Sequence, residues 1–175
     1  ALERGNFFVV PLDDQRHWYR YHHLFADVLA TYLRAEQPDQ LATLESVIDC
    51  WLAEQLADNP VVLAVAAGVD GPRTWFVRLE GEERGVFTIR YRLRQRTLWY
   101  ETYFMPAPEE NQGQLYEHLL RRNAKLYGAT FAIGEEDALY LQGQLDNDLI
   151  NTSELDRVLG SVYARERYGV TSPRV

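Results

Sequence analysis

Residues 85–105 read GVFTIRYRLRQRTLWYETYFM and indicate two β-strands joined by a short turn. The candidate strands are Gly85–Arg94 and Thr97–Met105, which leave only Gln95 and Arg96 between them. Two residues suffice for a β-hairpin, although this pair lacks the glycine that the preferred hairpin turns contain. Alternation places the arginines of the first strand on one face and Ile89, Tyr91 and Leu93 on the other. The stretch therefore predicts an antiparallel hairpin with one apolar face.

Patterns on both sides of this hairpin complete an α+β layer fold. A further strand is predicted before it, at Thr74–Leu79, and two shorter strands are predicted later, at Thr130–Ile133 and Ala138–Leu141. The apolar segment Val61–Val69 fits either a strand or a buried irregular segment. Apolar residues at helical spacing predict three helices, in Leu44–Leu56, Gln112–Tyr127 and Leu155–Tyr163.

Helix boundaries are marked by two capping boxes and a glycine. Asn111 precedes Gln114 by three residues, and Asn151 precedes Glu154 by the same distance. Gly128 is a natural C-cap for the middle helix. From residue 41 onward the predicted order is α-β-β-β-α-β-β-α, an antiparallel sheet with the helices on one face.

The first forty residues predict a separate segment. Residues Asn6–Leu12 favour a strand, and Trp18–Arg34 favours an amphipathic helix that ends before Pro38. Residues Gln37–Gln40 are typical of a linker. The sequence therefore predicts a strand-helix segment at 1–40 and a second domain at 41–175.

Composition limits the classes of partner and the location. A net charge of −8 and a pI of about 5.0 disfavour binding to nucleic acid or to an anionic membrane, and suit a basic or polar protein partner. No apolar run approaches the ~18 residues of a membrane span. The chain has a single cysteine, Cys50, and therefore no internal disulfide, which fits a reducing, cytoplasmic location. Because Cys50 lies in an apolar helical pattern, we expect its thiol to be buried. Because the chain begins at Ala1 and has Met105 as its only methionine, we expect a fragment of a longer protein.

No motif for catalysis, a metal ion or a cofactor is present in the sequence. His17, His22 and His23 lack the i, i+4 spacing with which two helical histidines share one ion. Acidic clusters, such as Glu135–Asp137, lack the alternating ligands of a calcium loop. We expect no enzyme, no metal site and no cofactor.

Aromatic and arginine side chains are the candidates for binding a partner. Tyrosine and tryptophan suit interfaces because they bury a large ring and keep a polar tip in water. The alternating arginines are either a solvated sheet face or a basic stripe that pairs with acidic groups of a partner or of a dimer mate. The candidate residues are Trp75, Trp99, Tyr103, Tyr116, Leu120, Tyr127, Arg90, Arg92 and Arg94.

Three short motifs resemble the YbjN-like family, which shares the fold of type III secretion chaperones. They are MPAPEEN at Met105–Asn111, LLRRN at Leu119–Asn123 and LDRVLG at Leu155–Gly160. The resemblance extends over about residues 44–168. It implies the same α-β-β-β-α-β-β-α order, a tendency to form homodimers and the binding of polypeptide segments.

The first segment resembles a different family. Residues 2–39, and above all WYRYHHL at Trp18–Leu24, are similar to the winged-helix part of LuxR-type ATP-dependent activators related to the maltose-regulon activator. No phosphate-binding loop accompanies it. Two hypotheses follow: a dimeric, chaperone-like protein-binding module, or a regulatory effector domain attached to a fragment of a transcriptional activator.

Overall fold

The computed structural model describes residues 9–11, 19–21, 23–81 and 85–167, in a chain that divides into two compact units, residues 1–42 and 43–175. Strand β1 (Val9–Pro11) pairs antiparallel with β2 (Tyr19–Tyr21), and helix α1 (His23–Asp58) follows. The later elements are β3 (Val62–Ala67), β4 (Thr74–Gly81), β5 (Gly85–Leu93), β6 (Thr97–Met105), α2 (Gln112–Asn123), β7 (Thr130–Ile133), β8 (Leu139–Asp146) and α3 (Thr152–Arg167).

The predicted boundaries near the start of the chain are wrong in two places. Tyr19–Tyr21, assigned above to a helix, is a strand, because Val9–Pro11 supplies a pairing partner for residues whose rings already favour strands. Helix α1 runs through Pro38, where a helix end and a linker were predicted. A proline costs a helix about 3 kcal/mol but does not forbid it, and helical patterns flank it on both sides. His17 and His22 lie outside the described residues.

A six-stranded antiparallel sheet in the order β3-β4-β5-β6-β8-β7 confirms the α+β prediction. The predicted hairpin is present, and the N–H of Arg94 donates to the carbonyl of Thr97 at 2.8 Å to close it. The ambiguous segment after α1 is an edge strand, β3, which raises the strand number by one. Strand β8 is longer than predicted because it pairs with β6 over most of its length.

All three helices cover the same face of this sheet. The ring of Trp51 in α1 packs edge-on against Tyr91, with the ring centroids 6.1 Å apart. Tyr163 in α3 lies 6.1 Å from Phe87 between ring centroids, and Leu119 of α2 is buried. The helices therefore bury the face that carries the apolar residues of β5, as the alternation predicts.

Cys50 is exposed, in contrast to the prediction of a buried thiol. The buried residues of this part of α1 are Ile48, Trp51 and Leu52. Successive helical residues are turned by about 100°, so Cys50 points about 200° away from Ile48. The apolar pattern of the segment does not include the cysteine.

Four residues in register form a row across the middle of the sheet. Trp75 pairs with Tyr91, Tyr91 with Tyr100, and Tyr100 with Gly143. The three aromatic residues are at most 2% exposed. At Gly143 the missing side chain leaves room for the carbonyl of Gly128, which accepts a hydrogen bond from the Tyr100 hydroxyl. A Cβ at Gly143 would lie 2.1 Å from that carbonyl oxygen.

Of the two predicted capping boxes, one is present in its N-cap half. The side-chain Oδ1 of Asn151 accepts the N–H of Glu154 at 3.0 Å, which confirms the cap of α3. Asn111 instead has a φ of 56° and makes no side-chain cap bond, so that prediction is wrong. Its backbone carbonyl accepts the N–H groups of Gln114 and Leu115, both at 3.1 Å. Helix α2 nonetheless begins directly after Asn111, where the sequence placed it.

The end of α2 is set by the side chain of Asn123. Its Nδ2 donates to the carbonyl of Phe131 at 3.0 Å, and its Oδ1 accepts the N–H of Phe131 at 2.8 Å. Helix α2 therefore stops at Asn123 rather than at the predicted Tyr127. Gly128, expected to cap the helix, instead adopts a φ of +79° in the turn that leads to β7.

We expect Gly143→Ala to lower the free energy of unfolding by about 3 kcal/mol, because the new methyl group collides with backbone that has no room to move. Gly113→Ala is the matched control: it lies in α2, nothing lies within 4 Å of its Cβ position, and alanine favours a helix by up to about 1 kcal/mol. Urea unfolding of both variants measures the difference. Equal unfolding midpoints would contradict the close approach at Gly143.

Replacement of Asn123 by alanine removes both hydrogen bonds to the Phe131 backbone. We expect a loss of about 1–3 kcal/mol in the free energy of unfolding, the cost of leaving part-buried polar groups without partners. Gln114→Ala, on an exposed position of the same helix, should change the stability by less than about 0.5 kcal/mol. Since alanine favours a helix more than asparagine or glutamine does, a loss of the same size in both variants would contradict a specific role of the Asn123 hydrogen bonds.

Candidate functional site

The titratable side chains of the described residues form no cluster of metal ligands. No group of three histidine, cysteine, aspartate or glutamate side chains there could hold a metal ion. Burial raises the pKa of the Tyr91 hydroxyl far above its ordinary value, with a smaller contribution from Tyr100. Tyr91 is 0% exposed, so no substrate reaches it. Hydrogen bonding to Arg157 lowers the pKa of Glu154 on the surface of α3.

An apolar groove of about 240 Å³ lies between α2 and β7 and is called here the α2–β7 groove. Large side chains remain uncovered in it, since Leu120 is 67% exposed and Ile133 is 54% exposed. Its other walls include Tyr116, Leu119, Phe131 and Leu139. Helix α2 covers the end of the sheet with one apolar face, through Leu119, and leaves a second apolar face open.

Strand β7 forms one edge of the sheet beside this groove. The outward N–H and carbonyl groups of Phe131 are both occupied by Asn123, which takes the place of a neighbouring strand there. Such protection is a common way to prevent edge-to-edge pairing of sheets. The groove therefore offers side-chain contacts close to a strand edge that is closed at Phe131.

The opposite side of the sheet, called here the open face, carries Trp99, Tyr103 and the even-numbered arginines of β5. Two guanidinium groups lie close to the ring of Trp99: the Cζ atoms of Arg90 and Arg94 are 5.5 and 4.9 Å from its centroid. Tyr103 is 50% exposed and packs edge-on against Tyr140.

Carboxylates neutralise much of the arginine charge on the open face. Asp70 Oδ2 accepts from Arg90 at 3.1 Å and from Arg92 at 2.8 Å, and Arg90 also pairs with Glu101. Arg94 has no carboxylate partner among the described residues. The stripe is thus partly a set of internal ion pairs rather than a continuous row of free cations.

The predicted binding residues divide between these surfaces. Tyr116 and Leu120 line the α2–β7 groove. Trp99, Tyr103 and the three arginines lie on the open face. Tyr127 is 74% exposed, in the connection between α2 and β7, and the Arg157 guanidinium lies 5.2 Å from its ring centroid.

Trp75 is a core residue, which corrects its prediction as a binding residue. It is 2% exposed, and its indole N–H donates to Asp49 at 2.6 Å. The reason is the alternation of β4: its odd-numbered residues, which are Trp75, Val77 and Leu79, face the helices. Ile133 and Leu139 were not predicted as groove residues, because their position beside α2 depends on the pairing of β7 with β8.

No helix among the described residues has both the length and the apolar character needed to cross a bilayer.

Comparison with known proteins finds relatives in mycobacteria. Uncharacterised proteins of Mycobacterium bovis and Mycobacterium tuberculosis are 32% identical over 91 residues, which is 52% of this chain and 50% of theirs. One from Mycobacterium leprae is 30% identical over 93 residues, 53% of this chain and 50% of that relative. The chain thus matches about half the length of these relatives.

A solved structure with a similar arrangement is the Yersinia pestis type III secretion chaperone SycH, crystallised in complex with a stable fragment of YscM2. It has a TM-score of 0.48 and 17% sequence identity, and the match covers 73% of this chain and 99% of SycH.

Two family models match the chain. Residues 1–41 match the model of the MalT winged helix domain. Residues 26–164, most of the chain, match the YbjN model, described as "Putative bacterial sensory transduction regulator". The chain therefore belongs to the YbjN family.

Proposed function

We propose that this chain is a non-enzymatic, chaperone-like module that holds a polypeptide segment of a partner in the α2–β7 groove. The observation that carries the proposal is the exposure of Leu120 and Ile133 in an apolar groove beside a sheet edge. Covering a large aliphatic side chain contributes about 1.5–3 kcal/mol. Two such anchors, with Tyr116 on the wall, suit a segment that inserts apolar side chains.

The open face is a second contact surface in this proposal. Trp99 and Tyr103 offer partly exposed aromatic area, and Arg94 offers charge to acidic groups of a partner, whereas Arg92 is paired with Asp70. We rank it after the groove because Asp70 and Glu101 already occupy Arg90. The proposal includes a homodimer and a cytoplasmic location, as predicted from the sequence.

Replacement of Leu120 by aspartate tests the groove. The probe is an extended peptide of alternating leucine and lysine, compared with a peptide of alternating alanine and lysine that has the same charge. We expect the leucine peptide to bind the wild-type chain more tightly. Leu120→Asp should weaken that binding about tenfold, the equivalent of 1.4 kcal/mol, as measured by fluorescence anisotropy.

The matched control is Leu149→Asp, which adds the same charge at another exposed leucine, outside the lining of the groove. It should leave peptide affinity within about twofold, since surface changes cost little. Equal affinity of all three proteins, or equal binding of both peptides, would contradict the proposal.

Light scattering after size exclusion tests the homodimer separately. We expect a mass of about twice 20.3 kDa, and the mass of a single chain would contradict the homodimer.

A regulatory effector domain is the second candidate function. It is favoured by the match of residues 1–41 to a winged helix of an activator and by the regulator description of the YbjN family. In this case the segment 1–42 would report the state of the unit 43–175.

Regulation requires that the two units be energetically coupled. We therefore expect residues 43–175 to have a different unfolding temperature as a separate chain than within the full chain. The difference should be several degrees for each kcal/mol of coupling free energy. Circular dichroism and tryptophan fluorescence follow both transitions. An identical transition temperature would argue against this candidate and leaves the polypeptide-binding proposal standing on its own test.

A further inference from the structure

A second cavity of about 320 Å³ lies between the end of α1, strand β4 and helix α3, and is called here the α1–α3 cavity. It shares no lining residue with the α2–β7 groove. Its volume falls at the lower end of the range for small-molecule sites. Its polar side chains are Gln55, Asn59, Asp156 and Tyr163, and its walls include Val61, Leu79 and Leu159.

Asp156 is held in place by two donors. Its Oδ1 accepts the indole N–H of the buried Trp51 at 2.8 Å and the Nε2–H of Gln55 at 2.9 Å. The amide oxygen of Gln55 in turn accepts from Asn59 at 2.8 Å, which fixes the orientation of Gln55. A carboxylate fixed in this way loses little side-chain entropy when it binds a ligand.

The other carboxylate oxygen of Asp156 has no hydrogen-bond partner among the described residues. The amide groups beside it are used within the chain: Gln55 donates to Asp156, and Asn59 both donates to Gln55 and accepts the N–H of Val61. The cavity therefore presents one oriented anionic acceptor.

The walls of the cavity favour an apolar stem. Leu79 is fully buried and Leu159 nearly so, and both contribute to the lining. Gly160 extends the free space, because a Cβ built there has nothing within 4 Å. An aliphatic chain placed against these residues contacts apolar protein surface on its inner side and stays open to water on its outer side.

Charge selects the class of ligand. A carboxylate acceptor in a chain with a net charge of −8 repels anions. A divalent metal ion bound by protein requires more oxygen or nitrogen ligands than one carboxylate, and the described residues contain no such cluster. A primary ammonium pairs with a single carboxylate as a compact charge on a flexible aliphatic stem.

We propose that the α1–α3 cavity binds a primary ammonium group carried on an aliphatic stem, with Asp156 as its counter-ion and Leu79, Leu159 and Gly160 around the stem. Free alkylamines and the lysine side chains of a polypeptide share this chemistry. The inference does not depend on the proposed function of the groove.

The test titrates the full chain with n-hexylamine and follows backbone amide shifts of residues around Asp156 and Gly160 by NMR. Hexanol and hexanoate, of the same length, should bind more weakly. Asp156→Asn keeps an oxygen acceptor for Trp51 and Gln55 but removes the charge. Because Asp156 is exposed, we expect it to weaken hexylamine binding about three- to fivefold.

Gly160→Leu should fill the cavity and abolish the hexylamine shifts. Gly113→Leu is the control: Gly113 lies in α2, has nothing within 4 Å of its Cβ position, and its replacement should leave the shifts unchanged. A blocked lysine amide distinguishes the sources. Binding at least as tight as that of hexylamine assigns the site to lysine side chains, and binding of hexylamine alone assigns it to free amines. No saturable shift with either probe, or equal binding by wild type and both Asp156→Asn and Gly160→Leu, would overturn the proposal.

Discussion

Three large aromatic side chains lie side by side across the core, and the packing of residues 43–167 depends on placing their polar atoms. Trp75, Tyr91 and Tyr100 are neighbours in register on β4, β5 and β6. A buried polar atom without a partner is costly, so the indole of Trp75 reaches Asp49 on α1 and the hydroxyl of Tyr100 reaches the Gly128 carbonyl. Tyr91 has no hydroxyl partner among the described residues, but its ring supports Trp51. These contacts tie α1 and the loop before β7 to the same face of the sheet.

The accessible surfaces follow from that arrangement. Because the helix-facing side of the sheet is filled by aromatic rings, the open face receives the even-numbered residues of β5, such as Arg90, and the odd-numbered residues of β6, such as Trp99. Helix α2 packs at the far end of the sheet, against the four-residue strand β7. Such a short strand cannot cover both apolar faces of a twelve-residue helix. The exposure of Leu120 is therefore a consequence of where the sheet ends, and it leaves an uncovered apolar surface.

Local signals in the sequence were enough to predict much of the fold. Strands β6 and β7 have the predicted bounds, and the start of α2 and the Asn151 cap lie where their sequence patterns place them. What the sequence could not provide were outcomes that need a distant partner. The sequence suggests that Asn123 ties the end of α2 to a neighbouring backbone, and the hydrogen bonds in the structure identify that backbone as Phe131. Trp75 is buried because of a strand parity that aromatic content alone does not reveal. Helical spacing alone is enough to name Tyr116 and Leu120 as binding candidates, which they remain, whereas Ile133 and Asp156 depend on distant contacts and were not named. Asp156 meets Trp51 across 105 residues of sequence.

Asp156 shows how a structural requirement creates a binding group. Trp51 is almost fully buried, and its indole needs an acceptor at the edge of the core. An amide oxygen would accept that hydrogen bond and the one from Gln55 equally well, so the fold requires the oxygen but not the charge. The charge of Asp156 is thus a separate property of the residue. Since Asp156 lines a cavity that Gly160 leaves open, its charge favours the binding of a cation there. A residue with a fixed acceptor on one oxygen and an unused charge on the other can serve the core and a ligand at once.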